Sequence, residues 1–135
     1  MVLCVPCCHH ALNKQLRTDG VLHPMLRHGI LRERTADIVT DAFRALALRM
    51  MGYRVDVVEF VSPEHTARNL MIRAVKTGII DAGLDAEYRA MKEFWGVTPY
   101  IEAALGDQFG SGLGCSPSPL EGEGGETRSV EPGEG

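Results

Sequence analysis

Disulfide frameworks need many cysteines, and this 135-residue chain has four. Cys4, Cys7 and Cys8 crowd into the opening stretch and Cys115 lies far from them, so reduced thiols and a cytosolic setting are expected. No apolar run approaches the roughly 18 residues of a membrane span, and no secretory signal precedes the first apolar segment. Internal repeats are missing. So is a surplus of either charge: residues 1–109 hold thirteen basic and thirteen acidic side chains. The net charge of −4 comes from Glu121, Glu123, Glu126, Glu131 and Glu134 against Arg128. That same stretch, from Gly110 onward, carries eight of the fifteen glycines and three of the seven prolines, with almost nothing to bury. A single domain over 1–106 and a disordered Gly/Pro/Glu-rich tail over 107–135 are expected.

What is present begins at once. Val2-Leu3-Cys4-Val5 is a short apolar run ended by Pro6, and Cys7, Cys8, His9 and His10 follow. Such a run reads as a buried strand, over about 1–5. In open α/β sheets ligands bind in the crevice outside the carboxyl ends of the strands, where residues 7–10 would stand. The spacing next allows two helical turns over 9–16 and places a turn at Thr18-Asp19-Gly20, while Pro24 opposes a long helix there. The clearest helix spans 32–51, with Val39, Ala42, Phe43, Leu46, Ala47 and Met50 on one buried face and Gly52 beyond its end. Glu33 and Asp37 sit in its early turns and Arg49 in its last, as the helix dipole prefers.

Residues 53–60 read as a second strand. Val55, Val57, Val58 and Phe60 are apolar on both faces, as when helices cover both sides of a sheet. Strand, helix, strand makes the first two strands parallel. Residues 61–68 form a short connector without helical repeat, and 69–76 alternate as a third, antiparallel strand. A helix over 81–95 carries the stripe Leu84, Tyr88, Met91 and Trp95 and ends at Gly96. Thr98-Pro99 reads as an N-cap and first turn for a last helix closing at Gly106.

The candidate chemistry gathers at one rim. His9 or His10 can act as a general base, with an unperturbed pKa near 6.5; the alternative is lining the site or ordering its loop. A Cys7 thiolate can attack an electrophilic ring carbon; Cys7 and Cys8 read equally as small buried hydrophobes. Glu64 and His65 lie on the connector at the same sheet end, unless Ser62 and Pro63 simply begin a capped turn there. Residues 1–34 carry a net +3, with Arg27, His28, Arg32 and Arg34 either meeting a phosphate-bearing partner or forming a solvated helix entry.

Three blocks carry a family resemblance: Val5-Pro6-Cys7-Cys8-His9-His10-Ala11-Leu12-Asn13, Leu26-Arg27-His28-Gly29-Ile30-Leu31-Arg32-Glu33-Arg34 and Val57 through Thr66. Over residues 1 to about 106 the chain resembles the C-terminal part of a bacterial class I, Rossmann-like S-adenosylmethionine-dependent methyltransferase family with a Pro-Cys-Cys-His signature. The resemblance implies an α/β fold whose third strand inserts between the first two. It implies methyl transfer to an acceptor, with nucleic acid favoured by the basic patch. It places Cys7, His9 and His10 in catalysis, Cys8, Asn13, Arg27, His28, Arg32, Glu64 and His65 against the acceptor, and Pro6 beside the cofactor.

One departure bears on activity. Enzymes of this class seat the cofactor on a glycine-rich loop after their first strand. Here Gly110-Ser111-Gly112-Leu113-Gly114 follows no strand and opens no helix, so it fails the structural context of such a loop. The chain reads as the last three strands of a larger sheet, with little or no activity alone. The tail, Ser116 through Gly124, resembles translated bacterial repeat DNA. Two rival readings remain at this point. Cys4, Cys7, Cys8, His9 and His10 offer zinc-ligand types, with His23, His28 or His65 completing a site through the fold. Alternatively the chain is an inert fragment completed by another polypeptide at the open edge of its first strand.

Overall fold

The computed structural model describes residues 1–6, 10–60, 64, 69–107 and 109. Its element order is β1 (Val2–Cys4), α1 (His10–Gln15), a 3-10 turn (Gly20–Leu22), α2 (His23–Leu26), α3 (Gly29–Met50), β2 (Tyr53–Glu59), β3 (Leu70–Lys76), α4 (Leu84–Trp95) and α5 (Tyr100–Leu105). The protein is α/β, with a three-stranded open sheet in which all neighbouring strands are antiparallel.

β3 lies between the other two strands and is antiparallel to each. Val2, Leu3 and Cys4 pair with Ala74, Arg73 and Ile72, and β2 pairs with β3 over its full length, from Tyr53 opposite Lys76 to Glu59 opposite Leu70. β1 and β2 therefore run in the same direction. Ile72 and Ala74, on one face of the central strand, are fully buried, while Arg73 on the other bonds Asp56 across the strands at 2.9 Å in solvent.

α3 is the centre of the helical layer. Ala36, Val39, Phe43, Ala47 and Met50 recur at helical spacing and are buried. They meet Leu12 and Leu16 from the α1 region, Leu84 and Tyr88 of α4, and Val97. The Phe43 ring meets the Tyr88 ring edge-on, with centroids 5.3 Å apart. Met51 is the C-cap of α3, and Gly52 after it takes a φ of 79°. There its carbonyl accepts the amides of Thr77 and Gly78, tying the end of the helix to the end of β3. The Lys76 ammonium sits over the Tyr53 ring at 4.7 Å and donates to the Met51 carbonyl.

Several expectations need correcting. α3 begins at Gly29, a turn earlier than the spacing suggested, so Glu33 and Asp37 fall beyond its first turn; Ala42 is exposed. The sheet is not covered on both sides by the described helices. α3 alone packs extensively on it, α1, α2 and α4 pack on α3, and one helix can cover only one face. Phe60, on the same face as Asp56, accordingly stays about half exposed, and so does Val57, which shares the Ile72 face but lies on an edge strand. α4 begins at Leu84, and α5 has Pro99, not Thr98, at its N-cap, because Pro99 is still extended, with ψ 138°; the Thr98 amide donates to the Gln15 side chain at 2.8 Å. The folded part extends past the expected boundary at 106: Phe109 is buried and its ring lies 5.2 Å from that of Tyr88. The rest of the expected tail lies outside the described residues.

Candidate functional site

The sheet register builds the rim. Cys4 and Val57 are both partnered to Ile72, one from each side, and Glu59 to Leu70. The carboxyl ends of β1 and β2 thus open on the same sheet end, where β3 begins. Pro6 is half-buried just past β1, and Glu64 is an exposed turn residue past β2. Cys7, Cys8, His9 and His65 lie outside the described residues.

His10 opens α1 and is exposed. One turn on, the backbone carbonyl of Asn13 accepts two hydrogen bonds from Arg32, from Nε at 3.2 Å and Nη2 at 2.7 Å. Arg32 is half-buried in α3, so this contact fixes α1, which follows the Cys/His stretch, against the central helix. His28, the N-cap of α3, stands one turn before Arg32 and its carbonyl receives the Arg32 amide at 2.9 Å. Helical spacing places His10 with Asn13 and Lys14 on one side of α1, and His28 with Arg32 on one side of α3. Of the candidate residues, the structure brings Asn13 and Arg32 into contact, with His10 one turn before Asn13 in α1 and His28 one turn before Arg32. Arg27, the C-cap of α2, is exposed beside His28, and Glu64 belongs to the β2 end of the rim. Arg32, expected to meet substrate, has its fork committed to Asn13.

Cys4 is a free, half-buried thiol. Among the described residues no three His, Cys, Asp or Glu side chains converge as a metal site. The Nδ1 of His23 donates to the Thr18 carbonyl at 2.7 Å, which occupies that imidazole within its own loop.

S-adenosylmethionine in the resembled fold rests on closely spaced glycines that lead a strand into a helix. Among the described residues no strand enters a helix through such a pair, and Gly110–Gly114 lies outside them. The described residues do not fit the cofactor.

Two features carried no sequence signal of their own. A cavity of about 260 Å³ lies between α1, α3 and α5, floored by Leu12 and Phe43 and edged by Gln15, Arg44 and Tyr100. It needs three helices separated in sequence. Behind it, the Tyr88 hydroxyl donates to Glu102 at 3.0 Å, and Lys92 pairs with the same carboxylate at 2.6 Å. Burial, and then this hydrogen bond and the charge of Glu102, push the Tyr88 phenol well above its ordinary range. Tyr88 is a core residue, and with Glu102 and Lys92 it forms a strut between α4 and α5.

Comparison of the chain with protein-family models, curated proteins and solved structures returns no match. No described helix is long and apolar enough to cross a membrane.

Proposed function

We propose that this chain is the C-terminal portion of a class I S-adenosylmethionine-dependent methyltransferase, supplying the acceptor side of the site and not the cofactor seat. The observation that carries the reading is the insertion of β3, antiparallel, between β1 and β2. That insertion supports the resemblance because it brings the carboxyl ends of β1 and β2, with Pro6 and Glu64 beyond them, to one sheet end. The 135 residues then do not methylate by themselves. The glycine-rich turn has to come from elsewhere in a longer polypeptide or from another chain. The exposed basic residues Lys14, Arg27 and Arg34 near the α1–α3 junction favour a nucleic acid as acceptor. Within this reading His10 removes or relays the acceptor's proton, and Cys7 is the candidate nucleophile.

The test has two arms. Calorimetric titration of the purified 135-residue chain with S-adenosylmethionine should give no binding, and micromolar affinity would overturn the division of labour. The chain expressed with the coding sequence immediately upstream should transfer labelled methyl groups to RNA or DNA, less so when His10→Ala is introduced. An upstream frame encoding no strand, glycine-rich turn and helix, or a stoichiometric zinc ion in the purified chain, would count against a methyltransferase.

A further inference from the structure

The cavity of about 260 Å³ between α1, α3 and α5 is lined by none of the residues assigned to methyl transfer. Leu12, Phe43 and Pro99 line it and are buried. Ala11 of α1 and Ala104 of α5 line it and are exposed, so it opens to solvent between two side chains too small to close it. Tyr100, 76% exposed, brings a second aromatic ring besides that of Phe43. The polar groups at its edge are bonded within the protein. The Gln15 side-chain oxygen accepts the Thr98 amide at 2.8 Å, and its nitrogen donates to the Ala11 carbonyl at 3.3 Å. The Thr40 hydroxyl donates to the Ala36 carbonyl at 2.6 Å. Arg44 pairs with Asp41 at 2.8 Å, which balances the one cation at the edge. A charged or strongly polar guest would lose water here and meet groups already bonded elsewhere. An apolar guest gives up nothing comparable.

We propose that this cavity binds a small, neutral, flat aromatic molecule of one or two fused rings. An apolar cavity of about 150 Å³ holds a benzene ring, and about 260 Å³ leaves room for a second ring. Removing the guest from water against Leu12, Phe43 and Pro99 supplies most of the affinity. Ring contacts with Phe43 and Tyr100 favour a flat guest over a branched one of equal size. The proposal stands apart from the methyltransferase reading, and either can fail without the other.

Indole is the probe, because it has two fused rings and no charge. Titrated into the full chain and followed by amide nuclear magnetic resonance, it should bind saturably at one site with a Kd of about 10 μM to 1 mM. The shifted amides should fall within residues 11–15, 40–44 and 100–104. Ala104→Leu sets a larger side chain of good helix propensity at the exposed mouth, so it should weaken indole binding by about tenfold or more with little change in Tm. Ala86→Leu, at an exposed position of α4 outside the cavity, should leave binding unchanged. Adenosine, flat but with many more polar groups, should bind at least about tenfold more weakly than indole. No saturable shift at millimolar indole, shifts confined to other residues, indole binding indifferent to Ala104→Leu, or adenosine binding as tightly as indole each overturns the proposal. The map of shifted amides in the native chain decides even where Ala104→Leu disturbs the fold.

Discussion

Arg32 and Asn13, nineteen positions apart, are joined by two hydrogen bonds from one guanidinium to one backbone carbonyl, at 3.2 and 2.7 Å. The Asn13 carbonyl lies near the C-terminal end of α1, where helix carbonyls lack partners within the helix. A cation there meets both the unsatisfied acceptor and the negative end of the helix dipole. This contact holds the segment that follows the Cys/His stretch against the central helix.

Arg32→Ala should therefore act first on stability. It removes two charge-assisted bonds from a half-buried acceptor, at a cost of about 1.5–3 kcal/mol in urea unfolding. Arg32→Lys should recover only part of it, because an ammonium cannot reproduce the fork. A guanidinium kept for substrate alone would leave the unfolding midpoint where it is.

Phe43 is the largest side chain among the most deeply buried and the meeting point of α1, α3 and α4. Phe43→Ala should cost about 3–5 kcal/mol. Against a total of about 5–15 kcal/mol for a native domain, that is enough to bring the chain close to unfolding at room temperature. Thermal melting by circular dichroism reads it directly.

The alkaline limb of stability should carry a signature of Tyr88. Its phenol titrates above the ordinary tyrosine range when folded, because burial and the Glu102 carboxylate disfavour the phenolate. The unfolded chain loses that proton near pH 10. The stabilisation is then present in full below about pH 10 and lost as pH rises beyond it, since the unfolded state alone binds fewer protons there. Tyr88→Phe should flatten the fall in stability above about pH 10 relative to the native chain, measured by urea unfolding at several pH values. Equal slopes in the two proteins would show that Tyr88 ionises freely in the fold.

Two glycines separate backbone strain from crowding. Gly20 and Gly52 have φ of 70° and 79°. A Cβ at Gly20 meets nothing within 4 Å, whereas at Gly52 it would stand 3.3 Å from the backbone of Gly78. Gly20→Ala should cost about 1 kcal/mol, the penalty of the left-handed conformation alone. Gly52→Ala should cost distinctly more, because the backbone it meets is held by the Thr77 and Gly78 amides bonded to the Gly52 carbonyl.

Much of the scaffold was legible because its signals are local and periodic. The alternation of Leu70, Ile72 and Ala74 and the short connector before them foretold an antiparallel strand. The stripes of α3 and α4 and the stops at Gly52 and Gly96 follow helical spacing. What was hidden depends on partners distant in the chain. Thr98 looked like a cap, but Pro99 is still extended and is the cap, while the Thr98 amide turns to Gln15, 83 positions away. Arg32 looked available until Asn13 claimed its fork. Phe109 follows a glycine that ends a helix and precedes a glycine-rich tail, so composition assigned it to the tail although it packs on Tyr88. Val57 is apolar and faces the same side as the buried Ile72, yet on the edge strand β2 it stays half exposed, because α3 alone packs extensively on the sheet. At the site itself the shared rim was legible from strand direction, while Cys7, Cys8, His9 and His65 lie outside the described residues.

The account turns on β3 standing between the strands that bring Pro6 and Glu64 to one end of the sheet. Through-space proton contacts in a nuclear magnetic resonance spectrum of the labelled chain test this most directly. Backbone protons of Ile72 should show contacts to both Cys4 and Val57. Contacts running directly between Cys4 and Val57, with none from Cys4 to Ile72, would place β1 against β2 and contradict it.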